Sequence, residues 1–194
     1  MHIADGIFPV PVAAAANVAA LGAASLLGRR IGTAEIPKTG LMASALFLAS
    51  LLHFPFAGTS IHLGLFGLAG ILLGRTAFPA VFIALLLQAL LFQHGGLLAI
   101  GLNTLNMGLG ALAAALIWRT PGLPATARAF AAGFAGILVP AALMSLEFLL
   151  VGYGTRILFL AGAYSAVAAL EGALTVSAVV FLRKTEPALL ETRP

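Results

Sequence analysis

Apolar stretches of about 20 residues, each closed by a short polar break, recur along the whole chain, and no other feature constrains its fold as tightly. Wound as a helix, such a stretch matches the hydrocarbon core of a bilayer. Lipid offers the backbone no water, so the N–H and C=O groups of a spanning segment must be satisfied within the protein, and helices do this segment by segment. Of 194 residues, 61% are hydrophobic and 8% charged, whereas about a quarter are charged in a soluble chain. The formal charge of +4 does not imply nucleic acid, because the basic residues sit between the apolar stretches. The absence of cysteine excludes disulfides, thiolate metal sites and cysteine nucleophiles together. The expected fold class is an all-α integral membrane bundle, a single lipid-embedded domain over residues 1–194.

Length and breaks predict about seven transmembrane helices, over residues 7–28, 39–54, 58–74, 77–93, 103–118, 128–150 and 157–182. The connections "RRIGTAEIPKTG", "FPFAG", "GRTAFP", "QHGGLLAIG", "RTPGLPATAR" and "GYGTR" are rich in glycine, proline and charge. With the N-terminus outside and the C-terminus cytoplasmic, the inner face receives Arg29, Arg30, Lys38, Arg75, Arg119, Arg128, Arg183, Lys184 and Arg193, and the outer face only Arg156. That asymmetry is the mark of cytoplasmic loops. The first stretch is not expected to be a cleaved leader, because no positive charge precedes it and Asp5 does. Small residues at spacings of three and four (Gly64, Gly67, Gly70 and Gly74; Ala16, Ala20, Ala24 and Gly28) mark faces where helices approach closely. Internal packing is the favoured use of these faces, and docking of a partner the alternative.

Under this topology the four histidines, His2, His53, His62 and His94, all fall at the outer end. The opening residues are the most specific. The Met1 amine and the His2 amide close a five-membered chelate ring, and the His2 amide and imidazole Nδ1 a six-membered one. Three nitrogens then lie nearly in one plane, an arrangement suited to late divalent metals, and His62 in "GTSIHLG" can fill the fourth position. Residues 1–6 form a metal-capturing segment. For His53 and His94 an interfacial position with the polar tip in water competes with ligation. Gln88, His94, Asn103 and Asn106 crowd the same end around a flexible glycine pair, and the two asparagines, three apart, share one helix face. Amides there orient imidazoles rather than hold the metal. Glu147 lies near the outer end of the sixth stretch, and Glu171 well inside the seventh, where an ionisable group is expensive and functional by default; for Glu171, a packing role is the equal alternative.

No phosphate-binding loop, HExxH, GxSxG or EF-hand pattern occurs, so an enzyme is not expected. The blocks "MHIADGIFP", "GTSIHLGLFGLAGILLG", "LLLQALLFQHGGLLAIGLNTLNMG" and "EGALT" resemble those of the CbiM/NikM family, the substrate-binding components of energy-coupling-factor transporters for cobalt and nickel. The resemblance covers essentially the whole chain. It implies a seven-helix membrane protein of the bacterial or archaeal cytoplasmic membrane, with Co²⁺ or Ni²⁺ as transported substrate and no resident cofactor. The metal would be held by Met1, His2 and the imidazole of His62. Gln88, His94, Asn103 and Asn106 would line or support the site, and Asp5 and Gly6 match the family's opening turn. A transmembrane coupling subunit, cytoplasmic ATPase subunits and a small accessory membrane protein are the implied partners. The chain departs from the pattern at Tyr164 and Ser165, where many members carry a histidine. The "FQHGGL" form of the block leans towards cobalt. A self-sufficient metal channel or permease is the alternative function, and a scaffold packing through its glycine faces is a third.

Overall fold

The computed structural model describes residues 2–29, 31–56, 59–152 and 157–191, apart from the side chains of residues 53–61 and 157–161. The helices among them are α1 (Val10–Gly28), α2 (Ile36–Leu51), α3 (Phe66–Leu73), α4 (Ala77–Phe92), α5 (Ile100–Arg119), α6 (Ala125–Leu150) and α7 (Ile157–Thr185). A small antiparallel hairpin, β1 (His53–Phe56) with β2 (Thr59–His62), separates α2 from α3, and a 3-10 turn, Pro187–Leu190, follows α7.

Among the described residues, five stretches are long and apolar enough to cross a membrane: Val10–Gly28, Phe66–Phe92, Ile100–Arg119, Ala125–Leu150 and Gly162–Thr185. The chain is a multi-pass membrane protein, but not seven uniform spans. The segment expected at 39–54 is α2, shifted to Ile36–Leu51 and only 16 residues long. The segment expected at 58–74 is not a single helix. Its first part pairs in the hairpin, residues 63–65 have no regular structure, and α3 has eight residues, about 12 Å of helix against a core of about 30 Å. The stretch from Phe66 to Phe92 is itself interrupted at Gly74, whose φ of +60° is readily available only to glycine.

This short helix occupies the middle of the bundle, against α5 and α6. A Cβ on Gly67 would fall on the backbone of Ala132 and Gly133, and one on Gly70 on the Ala111 carbonyl. On α1 the buried residues Ala13, Ala16, Ala20 and Ala24 form one face, and a Cβ on Gly101 of α5 would overlap the Ala16–Asn17 backbone. Both small-residue faces therefore serve internal packing. Without water to exclude, close backbone approach supplies the dispersion that holds lipid-embedded helices together. The main core joins Ile3, Phe8, Phe66, Met107 and Ile137. A second cluster surrounds Ile71, Trp118 and Val179.

The bundle has two chemically distinct ends. Helix α5 begins beside the amino-terminal segment and ends 20 residues later at Arg119, about 30 Å away. At that far end the Lys38 ammonium donates to the Leu189 carbonyl at 2.8 Å. The Arg128 guanidinium donates to the Trp118 carbonyl at 2.8 Å and lies 4.8 Å from the centre of its ring. The histidines gather at the opposite end. Arg30, Arg156 and Arg193 lie outside the described residues.

Gly67→Leu is expected to lower stability in detergent by roughly 3 kcal/mol or to prevent assembly. Gly40→Ala, where nothing lies within 4 Å of the added Cβ, should be neutral or slightly stabilising. Thermal unfolding of the two variants measures the difference.

Candidate metal centre

The polypeptide reaches the centre three times, each time on non-helical backbone. His62 closes β2 and is 5% exposed. Its Nδ1 lies 3.0 Å from the Leu63 carbonyl oxygen, an acceptor only, so Nδ1 carries the proton and Nε2 keeps the lone pair. The next two peptide groups are fixed from another helix, since the Gly64 and Leu65 N–H groups both donate to the Glu171 carboxylate. Leu65 holds a left-handed φ of +51° as α3 begins.

The second approach follows α4. Gln93 is left-handed at φ +51°, and the Gln88 carbonyl accepts the N–H groups of both Gln93 and His94. This turn delivers His94 and leads into Gly95 and Gly96, at φ +87° and +72°. The sequence suggested a flexible pair, but the two glycines are seats for close contact. A Cβ on Gly95 would lie 3.0 Å from His2 Nδ1, and one on Gly96 would overlap the Asp5 carboxylate.

The third approach is the amino-terminal segment. Asn103 acts as a strand partner for Ile3, accepting its N–H at 2.8 Å and donating to its carbonyl at 2.9 Å. The same amide nitrogen donates to the Gly95 carbonyl at 3.1 Å. Asp5 accepts the Ala99 N–H at 2.8 Å at the start of α5, where the helix dipole favours negative charge. Asn17, which sequence reasoning passed over, accepts the Gly101 N–H at 2.6 Å. Its only signal was an amide in an alanine-rich run. These bonds satisfy part of the N-terminus of α5 and hold residues 2–5 against it.

His2, His62 and His94 thereby converge, with one candidate ligand nitrogen from each all within 4.8 Å of one another. The His2 ring stacks on His62 at 4.8 Å between centroids and meets His94 edge-on at 4.2 Å, while His62 and His94 are 5.8 Å apart. Imidazole nitrogens bind a divalent first-row ion at about 2.0–2.1 Å, so nitrogens sharing one ion lie roughly 3–4 Å apart. A small contraction of this triad suffices.

The remaining candidates take other places. Asn103 grips backbone rather than an imidazole. Asn106 donates to Glu147 at 2.7 Å, and Gln88 donates to Ser50, so these two amides spend these bonds elsewhere. His53 faces His62 in the hairpin register, but its side chain, like Met1, lies outside the described residues. Glu171, singled out in the sequence without a specific role, turns out to serve the backbone that follows His62. Asn103→Leu removes all three bonds to Ile3 and Gly95, and exchange of the Ile3 amide should accelerate by roughly tenfold or more. Hydrogen-exchange mass spectrometry of the 2–8 segment reads this out.

Known proteins resemble this chain in sequence and in fold. The family described as "cobalt uptake substrate-specific transmembrane region" matches residues 2–189. The cobalt transport protein CbiM of Sorangium cellulosum is 32% identical, over 98% of this chain and 95% of its own. The fused nickel transport protein NikMN of Rhodobacter capsulatus is 34% identical, over 76% of this chain and 47% of its own length. A crystal structure of a transition metal transporter superposes with a TM-score of 0.83, covering 96% of this chain and 94% of that one at 23% identity. The chain belongs to the CbiM family of cobalt and nickel transport proteins.

Proposed function

We propose that this protein is the metal-capturing subunit of an energy-coupling-factor importer, taking up Co²⁺ or Ni²⁺ at the histidine end of the bundle. The convergence of His2, His62 and His94 from three separate chain segments carries this reading. Neutral imidazoles suit late divalent ions, and hard ions such as Mg²⁺ and Ca²⁺ prefer oxygen. The Met1 amine and the His2 amide nitrogen complete the donor set, with the amide losing its proton on binding. Nitrogen donors serve cobalt and nickel alike, and the names of the relatives divide between the two metals.

The basic end then faces the cytoplasm and the histidine end the outside, as the distribution of Lys and Arg requires. The membrane is the cytoplasmic membrane of a bacterium or archaeon. Energy comes from partners: a transmembrane coupling subunit and cytoplasmic ATPase subunits, with a small accessory membrane protein. The chain itself binds the ion and presents it.

Calorimetric titration of the purified full chain with Co²⁺ and Ni²⁺ tests the reading. His2→Ala and His62→Ala should each weaken binding by more than the roughly 10- to 100-fold expected from losing an outer-shell partner. Binding releases the amide proton, and protons compete for the amine and imidazole lone pairs, so affinity should rise with pH and fall on acidification. Stoichiometric tight binding by both histidine variants would overturn the assignment. Metal flux through the purified chain alone in liposomes would indicate a self-sufficient permease.

A further inference from the structure

A carboxylate buried in a lipid-embedded bundle needs partners, and among the described residues those of Glu171 are two peptide N–H groups. The residue is 0% exposed. Its oxygens accept the Gly64 N–H and, at 3.1 and 3.2 Å, the Leu65 N–H. Both donors belong to the break before α3, whose first turn has no side-chain cap of its own and would otherwise leave backbone donors open in an apolar interior. Helix α7 comes near enough because glycines line its approach. A Cβ on Gly133 of α6 would lie 2.8 Å from both the Glu171 carbonyl and the Gly172 Cα, and one on Gly172 would lie 2.9 Å from the Phe130 ring.

The bonded peptide groups stand two and three residues after His62. Leu65 is held at a left-handed φ of +51°, a conformation unfavourable for leucine, and its N–H is one of the two that the carboxylate holds. The imidazole itself leans on the Leu63 carbonyl, in the middle of the same short turn. The described cluster of candidate metal ligands does not include Glu171, so its action on the centre runs through the backbone.

We propose that Glu171 is a positioning residue for metal capture: by accepting the Gly64 and Leu65 N–H groups it fixes the turn that aims His62 at His2 and His94. This rests on the reading that these histidines hold the metal, which His62→Ala tests separately. The experiment is Co²⁺ titration of the purified full chain, followed by calorimetry and by the visible absorption of the bound ion, with Tm measured alongside. Glu171→Ala should weaken binding roughly 10- to 100-fold and shift the Co²⁺ bands as His62 leaves its place. Glu171→Gln can keep an amide oxygen in the place of Oε1, which accepts both N–H groups, and gives up only the 3.2 Å contact of Oε2, so its binding should stay close to native. Val179→Ala, in the same helix and fully buried, should lower Tm and leave affinity and spectrum unchanged.

Native affinity and spectrum in a folded Glu171→Ala protein would overturn the proposal, as would a matching loss of affinity in Val179→Ala. If the alanine variant does not fold, Glu171→Met, which fills the space but offers no such acceptor, decides: a several-fold loss upholds the proposal and native binding sinks it. Native binding by His62→Ala would instead remove the histidine assignment on which the inference stands.

Discussion

Backbone groups inside a lipid-embedded bundle cannot turn to water, and the break before α3 shows how this chain meets that constraint. Residues 53–56 and 59–62 satisfy part of their backbone by pairing in a hairpin. Residues 64 and 65, past the hairpin and before the helix, donate to Glu171. Were the third segment an uninterrupted helix, its hydrogen bonds would close internally and His62 would ride on a helical surface among apolar neighbours. Interrupting it costs backbone partners, which a single carboxylate on α7 restores. An ionisable group deep in a membrane protein usually signals ion translocation or proton relay. Here its hydrogen bonds go to two peptide groups.

The same device recurs at the other two approaches. Asn103 imitates a neighbouring strand for Ile3, Asp5 supplies the acceptor that the first turn of α5 lacks, and Asn17 supplies another. The Gln88 carbonyl holds the turn into His94. In each case a group on a well-packed helix, or at its end, fixes an irregular segment carrying one imidazole. Among the polar side chains that look in sequence like a ligand sphere, Asp5 and Asn103 are thus backbone restraints. Placing a site on segments braced by rigid elements keeps its geometry within the tolerance that metal coordination demands.

Much of this was legible beforehand because the relevant physics is local. The length of an apolar stretch reports a span, so α1, α4, α5, α6 and α7 fall within a few residues of their expected bounds. Spacings of three and four among small residues report close faces, and Gly67, Gly70, Ala16 and Ala20 are used in that way. What was not legible depends on contacts between segments far apart in sequence. The stretch from 58 to 74 is apolar enough to read as a span, and only an acceptor more than a hundred residues away at Glu171 makes its interruption possible. A pair such as Gly95–Gly96 reads as mobile until the histidine and carboxylate packed against it are seen. Gln88 and Asn106 were grouped with the site because they lie close to it in sequence. Their bonds to Ser50 and Glu147 could not be inferred from one chain read linearly.

Restraint at the centre is unequally divided, and the division has a mechanical meaning. Asn103 binds both Ile3, next to His2, and Gly95, next to His94, so those two imidazoles are tethered to one point on α5. His62 is held apart from them, through the turn fastened to α7. Two of the rings are therefore anchored on α5 and the third on α7, while α3 and α6 pack against both of these helices. A cation gripped by all three would join these two anchorages directly, beyond the helix packing that already links them. Conversely, a relative shift of α5 and α7 by about an ångström would spread the nitrogens beyond the roughly 3–4 Å that a shared ion allows, loosening the ion without breaking any of the bonds that position a single histidine.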